Sequence, residues 1–190
     1  MAKSYRPLVI PPGVDVRIES GQTMVKGKLG TLAVPVLPGL TVKVTDGQVT
    51  VESAPTVTLV HVGSLRAHLL NAFAGVTQGY QKVLELRGMG YKAQKTKEGV
   101  QIACGFSHPV DFRAPAGVTM DVNQVPDPDD TKLQMFEIVV RGSDRHAVGQ
   151  LAAIIHGTKP PDVYRGKGIR YKGQHVRKKQ GKRAAGTQTA

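Results

Sequence analysis

The spacing of apolar residues runs strand-like, then helical, then goes through the same change again, and that order limits the folds open to the chain. Val14-Asp15-Val16-Arg17-Ile18-Glu19 follows a Pro11-Pro12-Gly13 turn and alternates apolar and polar residues with a period of two, so it reads as a half-buried strand. Strands are expected next over Gln22–Lys26 and Thr31–Leu37. Thr41–Thr45 and Gln48–Glu52 are alternating β-branched runs joined by Asp46-Gly47. Both positions of such a two-residue link need φ > 0, which predicts a hairpin with Val44 opposite Val49 and Val42 opposite Val51. Val62, Leu65, Leu69, Ala72, Phe73 and Val76 then recur at three- and four-residue steps. That is the apolar stripe of a helix able to cover a sheet, with Gly75 and Gly79 expected at its end.

The second half repeats the pattern. Strands are expected at Lys82–Arg87, Tyr91–Gln94, Val100–Cys104, around Phe112, at Val118–Met120 and at Met135–Val140. Pro126-Asp127-Pro128-Asp129-Asp130 reads as a polar loop. Ser143 or Asp144 then caps a second helix carrying Ala147, Val148, Leu151, Ala152, Ile154 and Ile155, closed by Gly157 and Pro160-Pro161. Some sequence repeats with the elements. Pro38–Val42 resembles Ala116–Met120, and Val62–Ala67 resembles Val148–Ala153. Strands grouped before each helix favour antiparallel sheets over a βαβ array. The expected fold class is α+β. It is a tandem duplication of a small, mainly antiparallel sheet packed by one helix, with repeats over 1–81 and 82–160 and a basic C-terminal tail over 161–190.

Charge separates the tail from the rest. The chain of 190 residues carries 26 Lys/Arg against 14 Asp/Glu, a formal net charge of +12. Residues 161–190 contain nine of those basic residues and a single acid, Asp162. The first 160 residues therefore have the balance of an ordinary folded domain, and the tail has the composition of an arm that reaches for phosphate or of a solvated end. No apolar run approaches the ~20 residues of a membrane helix, and the N-terminus lacks the apolar core of a signal peptide. One cysteine, Cys104, excludes an intramolecular disulfide framework. A soluble, cytoplasmic protein with a polyanionic partner is expected, without a membrane and without a small-molecule substrate.

Catalytic and metal-binding constellations are not legible. The six histidines show no metal-ligand spacing on one helix face, and no metal is expected. Asp127, Asp129 and Asp130 lack the spacing of a calcium loop. Gly88-Met89-Gly90 and Gly166-Lys167-Gly168 complete neither a phosphate loop nor a dinucleotide fingerprint, so no cofactor is expected. Cys104 and His108 are the one candidate nucleophile and base, and a strand cysteine is more often a small buried hydrophobe.

The tail carries the sharpest motif. In the stretch from Lys159 to Lys172, prolines stiffen the exit from the helix and glycines let the backbone approach a surface closely. Arg165, Lys167, Arg170 and Lys172 supply charge, and Tyr164 and Tyr171 supply flat faces that can stack on bases or riboses. Arg177, Lys178 and Lys179 follow, then Lys182 and Arg183. Pro161-Asp162-Val163-Tyr164-Arg165-Gly166-Lys167-Gly168-Ile169-Arg170-Tyr171 strongly resembles the C-terminal signature of the L-six family of large-subunit ribosomal proteins. The single departure is Arg165 where that family has Lys. The resemblance extends upstream through Gly75–Tyr80, Leu86–Ala93, Gly105–Val110 and Val148–Ala153, and so covers nearly the whole chain. Only Lys159 is basic between the second helix and the prolines, where family members often carry arginines.

The resemblance implies a duplicated α+β fold and a structural, non-enzymatic role in the ribosome. It implies binding to large-subunit (23S-type) rRNA near the factor-binding region and the stalk base, mainly through the second domain and the tail, among neighbouring ribosomal proteins. Lys159, Tyr164, Arg165, Lys167, Arg170, Tyr171, Lys172, Arg177, Lys178 and Lys179 are the expected rRNA-binding residues. Ser107 and His108 join them as exposed polar groups of a turn. The free tail is expected to be disordered. Two other readings compete: a small RNA-modifying enzyme anchored by a basic tail, which needs Cys104 and His108 side by side, and a scaffold for acidic proteins.

Overall fold

A computed structural model describes residues 6–19, 21–45, 47–54, 57, 59–126 and 134–181. Asp46, the acidic residues of the 127–130 loop, Lys182 and Arg183 lie outside the described residues. Among the described residues, six strands precede a first helix, six more precede a second, and one strand follows it, so the same count of strands precedes each helix. The protein has the α+β architecture expected, with two helices and several small antiparallel sheets among the described residues. Its chain divides into two compact units. The first is Met1–Lys82 with Pro115–Thr119 and Val140–Gln150, and the second is Val83–Ala114 with Met120–Val139 and Leu151–Ala190.

In the first unit, β2 (Asp15–Glu19), β3 (Gln22–Gly27) and β4 (Gly30–Pro35) form an antiparallel meander. A second sheet has the order β1-β6-β5, from β1 (Leu8–Val9), β5 (Leu40–Thr45) and β6 (Gln48–Ser53). The hairpin register is the one the turn dictates: Val44 faces Val49 and Val42 faces Val51, with Gly47 at φ 76°. Helix α1 (Leu59–Thr77) lies against β3, β4 and β6. It buries Val62, Leu65, Leu69, Ala72, Phe73 and Val76, the stripe read from sequence. Fully burying a side chain such as Leu69 stabilises the fold by about 1.5–3 kcal/mol.

Two expectations differ here. Gly75 does not end the helix: it is buried inside it, where an added Cβ would lie 2.0 Å from the Ser143 carbonyl oxygen. The residue is glycine because the backbone of 143 passes there. The helix ends instead at Thr77, and the Gln78 and Gly79 amides both donate to the Ala74 carbonyl. Ile18, read as an inward residue of a half-buried strand, is exposed, because β2 is an edge strand with a neighbour on one side.

The remaining strands are β7 (Tyr80–Arg87), β8 (Lys92–Lys95), β9 (Gly99–Ala103), β10 (Val110–Arg113), β11 (Val118–Pro126), β12 (Gln134–Gly142) and β13 (Gly168–Tyr171). They form an antiparallel β10-β9-β8 sheet and a four-stranded sheet of order β11-β12-β7-β13. Helix α2 (Arg145–Thr158) opens with the His146 amide donating to the Asp144 carboxylate at 2.8 Å, as a cap should. Val148, Leu151, Ala152 and Ile155 are its buried face, and Ile154 is exposed.

Strand β13 corrects the expectation of a tail disordered from residue 161. It pairs antiparallel with β7, with Ile169 opposite Leu86 and Arg170 opposite Glu85. Ile169 is fully buried, so this part of the basic stretch belongs to the apolar core. Its neighbour Gly168 sits at φ +140°, and a Cβ there would stand 2.7 Å from the Pro160 carbonyl oxygen. No other residue type fits that position without moving the 159–161 backbone.

Candidate nucleic-acid interface

After α2 the chain turns at Pro160-Pro161 and is clipped back on itself. The Ile169 amide donates to the Lys159 carbonyl at 2.8 Å, which starts β13 beside the helix exit. Between them Asp162 organises a tight turn. Its amide donates to the Lys167 carbonyl, its carbonyl accepts from the Gly166 amide, and its carboxylate accepts from the Arg165 amide at 3.0 Å. Those backbone N–H groups, the Arg165 amide foremost, hold the Asp162 carboxyl below the usual carboxylate range. The only acid of the basic stretch thus folds the turn that presents Tyr164 and Arg165, both exposed.

Beneath β13 lies a buried charge cluster. Strand alternation puts Glu85 and Arg87 on one face of β7, and the register places Arg170 opposite Glu85. One Glu85 carboxylate oxygen accepts from Arg87 Nη2 at 2.9 Å, from Arg87 Nε at 3.2 Å and from Arg170 Nε at 3.2 Å. The Glu85 and Arg170 side chains are 8% and 10% exposed, so this is an interior pairing and not a screened surface bridge.

Beyond β13 the cations turn outward. Lys172 donates its backbone amide to the Val83 carbonyl and its ammonium to Glu137 at 2.8 Å. That hydrogen bond and the nearby carboxylate charge push the Lys172 ammonium above its ordinary range. A turn follows, in which the Gln174 amide donates to the Tyr171 carbonyl and the Tyr171 amide to the Gln174 side chain. The chain then returns to the Asp162 turn, where the Lys179 amide donates to the Val163 carbonyl at 2.7 Å. Gly173, Gln174, His175, Val176, Arg177 and Lys178 thereby wall an open cleft floored by Glu85, Arg87 and Arg170. Arg177, Lys178 and Lys179 are exposed.

The other candidates fall into two groups. Lys159 holds its ammonium 5.2 Å from the centre of the Phe106 ring, in the same exposed loop as Ser107 and His108, whose side chains lie 3.4 Å apart. Tyr171 is half-buried and stacks on His156 of α2 at 5.1 Å, while Lys167 is half-buried beside the turn. Structure thus gathers Arg170, Lys172, Arg177 and Lys178 against one stretch of sheet and turns Arg170 inward. Cys104 is fully buried, His108 is exposed, and burial pushes the Cys104 thiol up. That opposes the thiolate an enzyme would need. No group of three or more His, Cys, Asp or Glu able to hold a metal occurs among the described residues.

Sequence reading missed Glu85, Arg87 and Glu137, the residues that hold the basic stretch in place. A Glu-x-Arg within a strand signals two charges on one face. Their partner, Arg170, lies 85 residues away and is joined only by the fold.

Comparison with known proteins agrees with this architecture. The family model described as "Ribosomal protein L6" matches residues 10–79 and 87–172, two stretches in tandem. "Large ribosomal subunit protein uL6" of Listeria monocytogenes is 42% identical over 180 residues, covering 93% of this chain and 95% of that protein. The protein of the same description from Acidithiobacillus ferrooxidans is 37% identical over 178 residues, covering 94% and 96%. A family match over both halves, together with identity at this level along nearly the full length, shows that the chain belongs to the ribosomal protein L6 family.

Proposed function

We propose that this chain is a structural component of the large ribosomal subunit, acting in the cytoplasm as part of the ribosome. It binds large-subunit rRNA near the factor-binding region and the stalk base, beside neighbouring ribosomal proteins. Residues 1–81 and 82–160 act as two repeated domains, and 161–190 with the second repeat supplies most of the RNA contacts. The observation that carries this reading is the clipped stretch from Lys159 to Lys179. Its amides are tied to Asp162, Val83 and Val163, so Arg165, Lys172, Arg177, Lys178 and Lys179 project from a fixed backbone. Cations on an ordered frame lose less entropy on meeting phosphate than cations on a free tail. Lys159, Tyr164, Lys167, Tyr171, Ser107 and His108 extend the contact surface along the same unit, and Arg170 serves it from within.

No catalytic role is proposed. The scaffold for acidic proteins is separated from this reading by sedimentation. The chain should travel stoichiometrically with the large subunit through a moderate-salt wash, and release from the particle at that salt would count against an rRNA anchor. Binding to deproteinised large-subunit rRNA should weaken linearly on a log–log salt plot, each phosphate contact adding about 0.7–0.9 to the slope.

A further inference from the structure

Strands β8 and β9 finish together, since Lys92 pairs with Ala103, so the turn before β8 and the turn after β9 leave the sheet at one end. Met89 is 67% exposed in the first turn and Phe106 is 45% exposed in the second. The other three phenylalanines, Phe73, Phe112 and Phe136, are buried or half-buried. Single exposed apolar residues are ordinary on a protein surface. Here, however, one ring braces both turns. Tyr91 fills the space beside Gly88, where a Cβ would lie 2.6 Å from the ring, and the opposite edge of the ring is 3.5 Å from where a Cβ would stand at Gly105. The Tyr91 amide closes the first turn on the Gly88 carbonyl at 3.2 Å.

The surroundings of this apolar tip are cationic. From Leu86 to Lys97 the sequence holds Arg87, Lys92, Lys95 and Lys97 and no acid, and Gly99 to Val110 holds no acid either. Lys92 is exposed where β8 starts. Lys159 holds its ammonium 5.2 Å from the centre of the Phe106 ring, and its carbonyl is tied to the Ile169 amide, so that cation stands on a fixed backbone. A flat apolar ring beside ammonium groups matches the two parts of a nucleotide, base and phosphate, better than it matches an apolar protein segment. A paired base does not qualify, because an A-form helix keeps base faces inside the stack and shows only edges. We infer that this tip holds one unpaired nucleotide of the RNA, its base stacked on the Phe106 ring and its phosphate toward Lys159. The inference rests on the rRNA-binding reading above. It adds a class of target that cations alone do not select: a bulge, loop or end with an unstacked base.

The test titrates the full-length chain and its variants with deproteinised large-subunit rRNA over a range of salt. Circular dichroism melts fix a temperature at which each variant is folded. Phe106→Ala should bind about 5- to 100-fold more weakly at every salt and keep the wild-type log–log slope, because a stacked base releases no counterions. Phe106→Leu keeps apolar bulk without a flat face and should bind as poorly as Phe106→Ala, whereas Phe106→Tyr should bind like wild type. Lys159→Gln should instead lower the slope by about 0.7–0.9. The chain has no tryptophan, so Phe106→Trp adds a single indole reporter. Its emission should be quenched by stacking as rRNA is added, and a fully paired RNA duplex should leave it unchanged.

Wild-type affinity in Phe106→Ala overturns the inference and leaves the rRNA-binding reading standing, the tip then facing a neighbouring protein. A lower slope in Phe106→Ala, or rescue by Phe106→Leu, also overturns it, since the ring would then only position Lys159. Absence of binding by the wild-type chain overturns both readings. Should Phe106→Ala not fold, Phe106→Trp decides alone: quenching by rRNA and not by the duplex supports the stack, and unchanged emission or equal quenching by both removes it.

Discussion

Residues 168–171 and residues 173–181 belong to the same basic stretch, yet they are held in different ways. In the first, Ile169 is fully buried, Arg170 is paired with Glu85, and Tyr171 stacks on His156. In the second, Arg177, Lys178 and Lys179 stand exposed on a segment held at its two ends. Charge density alone cannot tell a buried, paired cation from an exposed one. The carboxylate opposite separates a paired cation from an exposed one: Arg170 faces Glu85, and among the described residues no carboxylate is seen paired with Arg177, Lys178 or Lys179.

The contrast sets the expected consequences of substitution. Ile169→Ala should cost the most, about 2–5 kcal/mol of stability read by urea unfolding, as for other buried large-to-small changes. Its salt slope on rRNA, measured where the protein is still folded, should stay at the wild-type value. Replacing Arg177, Lys178 and Lys179 together by Gln should do the reverse. Stability should stay within about 0.5 kcal/mol of wild type, as is usual for surface positions. The slope should fall by about 2–3, since three phosphate contacts are lost. Large stability loss from that triple change would mean the segment is part of the core after all. The same comparison warns against deleting 161–190 as a test of RNA binding, because that cut also removes β13.

The smallest effect lies at Lys172, which stands between the two regions. Glu137 raises its folded-state pKa above the unfolded value of about 10.4, so the stabilisation is fully present below that pH. It disappears as pH rises through the folded-state value. Glu137→Gln should return the Lys172 titration toward 10.4, followed by NMR of the side chain, and should leave stability at pH 7 nearly unchanged because the pair is partly solvent-screened.

Local rules made much of the fold legible. The Asp-Gly link fixed the register of β5 and β6 residue by residue, because a two-residue turn leaves one pairing open. The stripe of α1 was legible because a helix on two sheets buries one continuous face. Strand β1 was not, since two residues carry no periodicity. Strand β13 was hidden by its own chemistry: Gly168 and Arg170 are poor strand signals, and flanking cations suggested a solvated arm. Gly75 looked like a helix stop, although its reason is the Ser143 backbone beside it. For the candidate site, the cations were legible from the signature and their anchors were not. Glu85 and Glu137 meet Arg170 and Lys172 only across long sequence separations, which no local pattern encodes.

The pairing of β13 with β7 also bears on how the protein reaches its native state. The β5–β6 hairpin joins near neighbours in sequence and can close in about 1–10 μs. The Arg170–Glu85 contact must close a loop of 85 residues, so its entropic cost falls due before its interactions are gained. Contacts of this kind are expected to form after the rate-limiting barrier. Weakening them should then leave the folding rate nearly untouched and accelerate unfolding, which makes the buried Arg170–Glu85 pair a determinant of how long the second unit stays folded.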